Sequence, residues 1–396
     1  MGGAGRQRAR EQNVRAVMRA LVSLGAASRS DLATHVGLDR STMTHVASAL
    51  LEAGLIEPVA QAPSGRRGGR RAELLAVEQS RFAVVGADVQ SAGIRWVLCD
   101  LRGNVLTGGS LGPSMPSTAG SVRRAWIEGL VEDLRAEVRV AAADRNVLGV
   151  GLALPGLLDQ SRRRLVESVE LGLANVDLHD LWHADSPPIQ FENDATCYVW
   201  REIAAHREPL SAGDATSADG LYAYTRLHRD GHRFLPAGVG VGVTVVAGGR
   251  IVTGSRGAAG ELRGYRWSRE GFTQLGVDLE RIRAEHGEQE ALAAAATELV
   301  RNLIVVASVL DPARIVIAGN LGAFGRHIGQ IVEELALPEV APIEFREPEP
   351  GALAHGAAQM VLEGLFSNGA HRLPFGSVFE AGADASAASV ATGYFR

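Results

Sequence analysis

From residue 13 the apolar positions Val14, Val17, Met18, Leu21 and Val22 fall at i, i+3, i+4, i+7 and i+8, one face of a helix over 13–24. Ser28 opens S-R-S-D, an N-cap with an acid three residues on. Leu32, Ala33 and Val36 then predict a short second helix closed by Gly37. Asp39 caps a third helix, whose Met43, Val46, Ala47, Leu50 and Leu51 keep the spacing until Gly54 stops it. Beyond that glycine the pattern is that of strands. Residues 55–60 and 72–77 read as a hairpin around the tip QAPSGRRGGRR. Three short helices followed by a hairpin predict a winged helix-turn-helix domain over residues 1–75.

The pattern over 76–366 is longer in period and is stated twice. Residues 81–90, 93–101 and 103–109 predict three antiparallel strands in a meander. A helix over 122–142 carries Trp126, Leu130, Leu134 and Val138 along one face. A continuous apolar run at 147–156 reads as a central strand and 187–194 as another, the second leading into a helix over 195–206. Strands at 221–226, 238–246 and 249–254, a helix over 291–310, a strand at 313–319 and helices near 321–336 and 351–365 repeat the scheme. Two similarly wound α/β lobes facing each other across a cleft are expected. Residues 367–396 are rich in small side chains and without periodicity, which predicts a flexible C-terminal tail.

Composition narrows the class. With 46% apolar and 21% charged residues over 396 positions, the chain is globular and long enough for two or three domains. Cys99 and Cys197 are the only cysteines, too few for a disulfide framework or a cysteine-built zinc site, and a cytoplasmic location is expected. No unbroken run of about 18 apolar residues occurs, so no membrane partner is expected. Charge is uneven. Residues 1–71 hold eleven arginines against five acids, a surplus of six, which leaves a balance of eleven negative charges on the remainder of a chain of net charge −5. That asymmetry predicts a polyanion-binding head on an acidic body.

Duplex DNA is the polyanion the head fits. Near the start of the third helix, Arg40, Ser41, Thr42, Thr44 and His45 offer hydrogen-bond donors and no acid, the chemistry that reads base edges and phosphates in a major groove. At the hairpin tip, Arg66, Arg67, Arg70 and Arg71 are the side chains that a narrow, electronegative minor groove attracts. Four such contacts give a salt slope of roughly −3.6.

Several motifs together, the ALPG segment, FENDA, GVGVGVTVVAGGRIVTGSRGAAGE and LDPARIVIAGNLG, resemble those of the ROK family of repressors and sugar kinases, from about residue 10 to 366. The resemblance implies an actin-like ATPase (ribonuclease H-like) body carrying the winged head of the family's sugar-gene repressors. It places Asp194 at the kinases' catalytic base, Asn193 and Glu261 at sugar ligands, and Asp88 at the acid of the first phosphate turn. There, Gln90 and Ser91 stand where the kinases carry glycines, Val239 replaces a threonine, and Asn320 replaces a glycine. The segment Leu262, Arg263, Gly264 and Tyr265 lacks the zinc-binding histidine, and the family's cysteine cluster is missing.

These departures lead to the expectation of no metal, no cofactor and no enzymatic activity. The chain is expected to be a homodimeric or larger transcriptional regulator of sugar-related genes, a repressor. It would bind a double-stranded operator, with a sugar or sugar derivative as effector at Asn193, Asp194 and Glu261. Arg263, Tyr265 and Trp267 are expected to line a different pocket, the arginine favouring an acidic or phosphorylated sugar, and His228 and His232 to face solvent. Asp194 leaves open an ATP-dependent sugar kinase with a DNA-binding head. A body that answers to a protein partner is the third reading.

Overall fold

The structure is a computed structural model and describes residues 3–61, 72–117, 120–161, 163–182, 186–205, 218–228, 238–255, 257–265, 267, 274–334 and 341–366. The head comprises α1 (Gly3–Leu24), β1 (Ala26–Ser28), α2 (Arg29–Val36), α3 (Arg40–Glu52), β2 (Ile56–Gln61) and β3 (Glu73–Val77). Ser28 and Asp39 cap α2 and α3 as their sequence positions require, accepting the amide protons of Asp31 at 3.2 Å and Thr42 at 2.9 Å. The hairpin is widened by a strand the sequence did not announce: β1 pairs with β3, giving the order β1-β3-β2. Three residues, Ala-Ala-Ser, are too few to show an alternation.

The first lobe contains β4 (Phe82–Gln90), β5 (Gly93–Cys99), β6 (Val105–Leu111), α4 (Ser121–Ala141) and β7 (Asn146–Leu154). It continues with β8 (Leu157–Asp159), β9 (Arg164–Ser168), β10 (Leu173–Asp177), β11 (Ile189–Asn193) and α5 (Asp194–Ala205). The second contains β12 (Gly220–His228), β13 (Gly238–Ala247), β14 (Arg250–Ile251), α6 (Leu279–His286), α7 (Glu288–Leu310), β15 (Ile315–Gly319), α8 (Gly325–Glu334) and β16 (Ile343–Arg346). The chain then returns to the first lobe as α9 (Ala352–Phe366).

The two central sheets share one plan, β6-β5-β4-β7-β11 and β14-β13-β12-β15-β16. In each, three strands run as an antiparallel meander and two more add in parallel. Asp88 is the seventh residue of β4 and Arg226 the seventh of β12, so the plan sets an acid and a base at equivalent points of the two sheets. α7 is long and apolar enough to cross a membrane, but its Ala291, Ala295, Leu299 and Leu303 are buried in the core of the second lobe.

α9 is buried along almost its whole length and packs on β4, β5, β7, α5 and α1. Two glycines allow this approach. A Cβ on Gly86 of β4 would lie 1.9 Å from the Ala354 carbonyl oxygen, and one on Gly356 would lie 1.8 Å from that of Cys197 in α5. Head and body share a single apolar cluster through this helix: Val14, Met18 and Leu21 of α1 belong with Val84, Cys99, Ala358, Leu362 and Leu365. The turn between β3 and β4 is fastened by Glu78, whose carboxylate accepts the amide protons of Ser80 and Arg81, each at 2.8 Å.

Candidate functional site

On the head, α3 presents Arg40, Ser41, Thr44 and His45 to solvent. Its inner side, Met43, Val46, Ala47 and Leu50, is buried, which fixes the rotation of the helix and turns that polar face outward. Thr42 is half-buried and committed to the cap: its hydroxyl donates to Asp39 Oδ2 at 2.6 Å, and this pairing holds the Asp39 carboxyl below its usual range. The Thr44 hydroxyl donates to the Arg40 carbonyl at 2.8 Å. Arg66, Arg67, Arg70 and Arg71 lie outside the described residues.

Between the lobes, Asn193 ends β11 and Asp194 begins α5. Asn193 Oδ1 accepts from the amides of Ala195 at 3.0 Å and Thr196 at 3.3 Å, while its Nδ2 donates to the Gly156 carbonyl at 2.9 Å. It therefore caps α5 and ties the helix to the turn after β7. Beside it lies a cavity of ≈ 40 Å³ whose walls include Gln160, Glu192, Asn193, Thr196 and Glu261, with Glu261 exposed at the rim. Asn193 and Glu261 are thus brought to one cavity, whereas Asp194 is not among its walls.

Asp194 faces a group that the sequence did not single out. Arg226 reaches from β12 across the lobe boundary to Asp194 Oδ2 at 3.2 Å, Asp88 Oδ1 at 3.5 Å and Glu170 Oε2 at 3.0 Å. Gln90 donates to the other oxygen of Asp88, and the Ser91 amide to Glu170 at 3.1 Å, so the residues that replace the phosphate-turn glycines now support the carboxylates. Burial pushes the Asp194 carboxyl up to about 7; Arg226 opposes this, and Glu170 and Asp88 add to it. Burial also raises Asp88 against the pull of Arg226. For Glu170 burial acts upward too, but Arg226, His228 and the Ser91 amide outweigh it and the carboxyl is held low. The Arg226 guanidinium is raised well above its ordinary value, its three carboxylates overcoming the cost of burial.

Glu192 was also missed. It is 5% exposed, accepts from the Asn193 amide at 2.8 Å and Gln160 Nε2 at 3.2 Å, and is pushed by burial up to about 7. Its place directly before Asn193 was the available signal. For Arg226 the signal was an arginine sharing a strand face with Tyr222 and Tyr224; for Glu170, in a turn, there was none.

Among the described residues, Arg263, Tyr265 and Trp267 do not enclose a second pocket: Tyr265 is 92% exposed, and Arg263 stacks over the Trp267 ring at 4.6 Å, its charge opposing the upward push of burial on the Glu261 carboxyl. His228 is half-buried beside Glu170 rather than exposed, and His232 lies outside the described residues. No group of three or more His, Cys, Asp or Glu side chains among the described residues is arranged to hold a metal ion.

No protein-family model matches the chain. Among curated proteins it is similar to the N-acetylglucosamine repressor of Escherichia coli, 24% identical over 64% of this chain and 57% of that protein. It is also similar to the xylose repressor of Bacillus subtilis, 21% identical over 63% of this chain and 59% of the other. The chain thus spans less than two thirds of the length of either repressor.

Among solved structures, a ROK family transcriptional regulator, a homolog of the Escherichia coli MLC protein, superposes with a TM-score of 0.68 at 16% identity. That match covers 94% of this chain and 99% of the other, head and body together. A ROK family glucokinase from Streptomyces griseus, solved with glucose and AMPPNP, superposes at 0.51 and 17% identity over 70% and 98%. The second likeness corrects the expectation of no enzymatic activity: the body has the fold of a working sugar kinase, so an altered phosphate turn does not place the chain outside the enzymes. The two-lobed actin-like body and the winged head thus have the fold of a solved ROK family regulator, and the sequence is similar to repressors of N-acetylglucosamine and xylose.

Proposed function

We propose that the protein is a DNA-binding transcriptional regulator of sugar-related genes, a repressor whose kinase-like body binds a carbohydrate or a derivative of one as effector. The observation that carries this reading is the outward face of α3. Arg40, Ser41, Thr44 and His45 stand exposed on a helix whose first turn holds no acid, within a head that has the winged helix-turn-helix arrangement. The likeness to repressors named for N-acetylglucosamine and xylose supports a sugar as the signal.

Residues 1–75 serve as the DNA-binding head and 76–366 as the body for effector binding and self-association; 367–396 lie outside the described residues. A homodimer places two heads on the half-sites of a palindromic operator in the cytoplasm, with the wing arginines holding the flanking minor groove. Asn193, Asp194 and Glu261 bind the effector, whose differential affinity for two arrangements of the lobes changes operator affinity. Band-shift titration of the full chain on the DNA upstream of its own gene, with and without a sugar panel, tests the reading. Specific retardation relieved by one sugar is expected; indifference to every duplex at low salt overturns it.

Asp194 favours a second reading, sugar phosphorylation by the same body. A buried carboxyl raised to about 7 at the cleft is suited to accept a hydroxyl proton near neutral pH. ATP turnover on the same sugar panel, lost in Asp194→Asn, is the result that establishes it.

A further inference from the structure

We propose that Arg226 is a latch: its guanidinium, carried by the second lobe, binds three carboxylates of the first and holds the two lobes shut on each other. The latch belongs to the chain itself and stands whichever ligand the cleft takes. The chain crosses between the lobes twice, from α5 into β12 and from β16 into α9, and these are the crossings about which the lobes can turn. The lobes nonetheless stand close together. A Cβ on Gly242 of β13 would lie 2.4 Å from that of Ala195 in α5, and one on Gly257 would lie 2.6 Å from the Leu158 carbonyl oxygen. The cavity left between them, ≈ 40 Å³, has room for about two or three water molecules, so a molecule the size of a monosaccharide enters only when the lobes part.

One terminal nitrogen of Arg226 donates to both oxygens of Glu170, at 3.2 and 3.0 Å, and the other lies 3.5 Å from Asp88 and 3.2 Å from Asp194. Each partner is held from its own side. On the first lobe, Gln90 donates to Asp88, the Ser91 amide to Glu170 at 3.1 Å and the Ala195 amide to Asp194 at 2.9 Å. On the second, the Thr225 hydroxyl donates to the Ala318 carbonyl at 2.6 Å and Asn320 Oδ1 accepts the Leu227 amide proton at 2.7 Å, so the chain on both sides of Arg226 is pinned. Gln90 and Asn320 are two of the positions at which the sequence departs from the sugar kinases, and both side chains support this contact. The four charged side chains are between 3% and 16% exposed, so salt screens the contact little. Taking the guanidinium away strands three carboxylates in a buried seam, where an unpaired charge is costly. Their relief is hydration, which comes when the lobes separate.

Spin labels at Val140→Cys on α4 and Glu285→Cys on α6, both exposed and one in each lobe, report the distance between the lobes, while Cys99 and Cys197 are buried and stay unlabelled. Double electron–electron resonance on the full chain, with no ligand added and with the labelled chain diluted into unlabelled chain, is expected to give a single narrow distance. Arg226→Gln is expected to move about half or more of the molecules to a longer one. If that variant does not fold, Glu170→Gln, which neutralises the carboxylate that accepts through both oxygens, takes its place and is expected to shift fewer molecules in the same direction. A parent chain already spread over both distances, or a folded variant that keeps the parent's single distance, overturns the latch. So does loss of the fold in both variants, which would make Arg226 part of the lobes' own framework instead.

Discussion

Single side chains divide into those the fold spends and those it leaves free. On α3, Thr42 is spent on the cap, while Arg40 and His45 are exposed and uncommitted to the head's own structure. Arg40→Ala and His45→Ala are therefore expected to change which operator bases are preferred, each costing about 1–3 kcal/mol on the best site and little on random DNA. Replacing Arg66, Arg67, Arg70 and Arg71 together is expected to weaken all duplexes alike and to reduce the salt slope by about 3.6. Anisotropy titrations across a salt series and a base-substituted operator series separate the two; identical effects from both sets would end that division of labour.

In the cleft, Glu192 carries a pH signature. Its folded value of about 7 lies above the ordinary glutamate value, so between about pH 4.5 and 7 the unfolded chain releases the proton first and stability falls as pH rises. Glu192→Gln keeps an acceptor for the Asn193 amide and removes the charge. It is expected to exceed the parent by about 3 kcal/mol at pH 8 and to lose that advantage by pH 4.5, as read by denaturant melts. A constant difference across the range would show that the carboxyl ionises normally in the folded protein.

Elements differ in how openly the sequence states them. The three head helices were readable because Val14–Val22 and Met43–Leu51 repeat at helical spacing between caps that the structure retains. The strands β8, β9 and β10 were not readable. They are short, sit in an arginine- and acid-rich segment, and each sends only one or two apolar side chains, Leu158, Leu165, Leu173 and Val176, into the core, too few to show an alternation. The cleft was half readable. Asn193, Asp194 and Glu261 were named from motifs, whereas Arg226 meets the cleft carboxylates only because β12 repeats the plan of β4 and brings its seventh residue opposite Asp88. A pairing across two sheets leaves no local trace.

Helix α9 shows what the same segment does once packed. It lies against α5, which begins at Asp194, and against α1 of the head, and so connects cleft and head through one helix. Gly356→Val forces a side chain into the Cys197 backbone. It is expected to cost about 3 kcal/mol or more and to weaken any coupling between sugar and operator binding, whereas the exposed Gly37→Ala measures only the backbone penalty. Melting temperature and sugar-dependent operator affinity, measured on both variants, check this.

For the whole molecule, the shared core decides how a signal travels. A head joined by a loose tether could swing freely, but here Val14, Met18 and Leu21 share one cluster with Leu362 and Leu365, and Arg19 meets Glu363 at 2.6 Å. The surface ion pair adds little; the apolar contact is the stronger tie, since each buried leucine side chain is worth about 1.5–3 kcal/mol. On the proposed reading, a rearrangement at the cleft shifts head and body together and changes the separation of two heads in a dimer rather than bending each head on its own stalk. Leu365→Ala is expected to destabilise the chain by about 2–5 kcal/mol and to reduce amide protection in α1 as much as in α9, although the residue lies in the last turn of the body. An excised fragment of residues 1–77 loses one wall of its core and is expected to be largely unfolded by circular dichroism. Should that fragment fold alone with the stability it has in the full chain, the head is an independent module, and the body would have to control it through the β3–β4 turn instead.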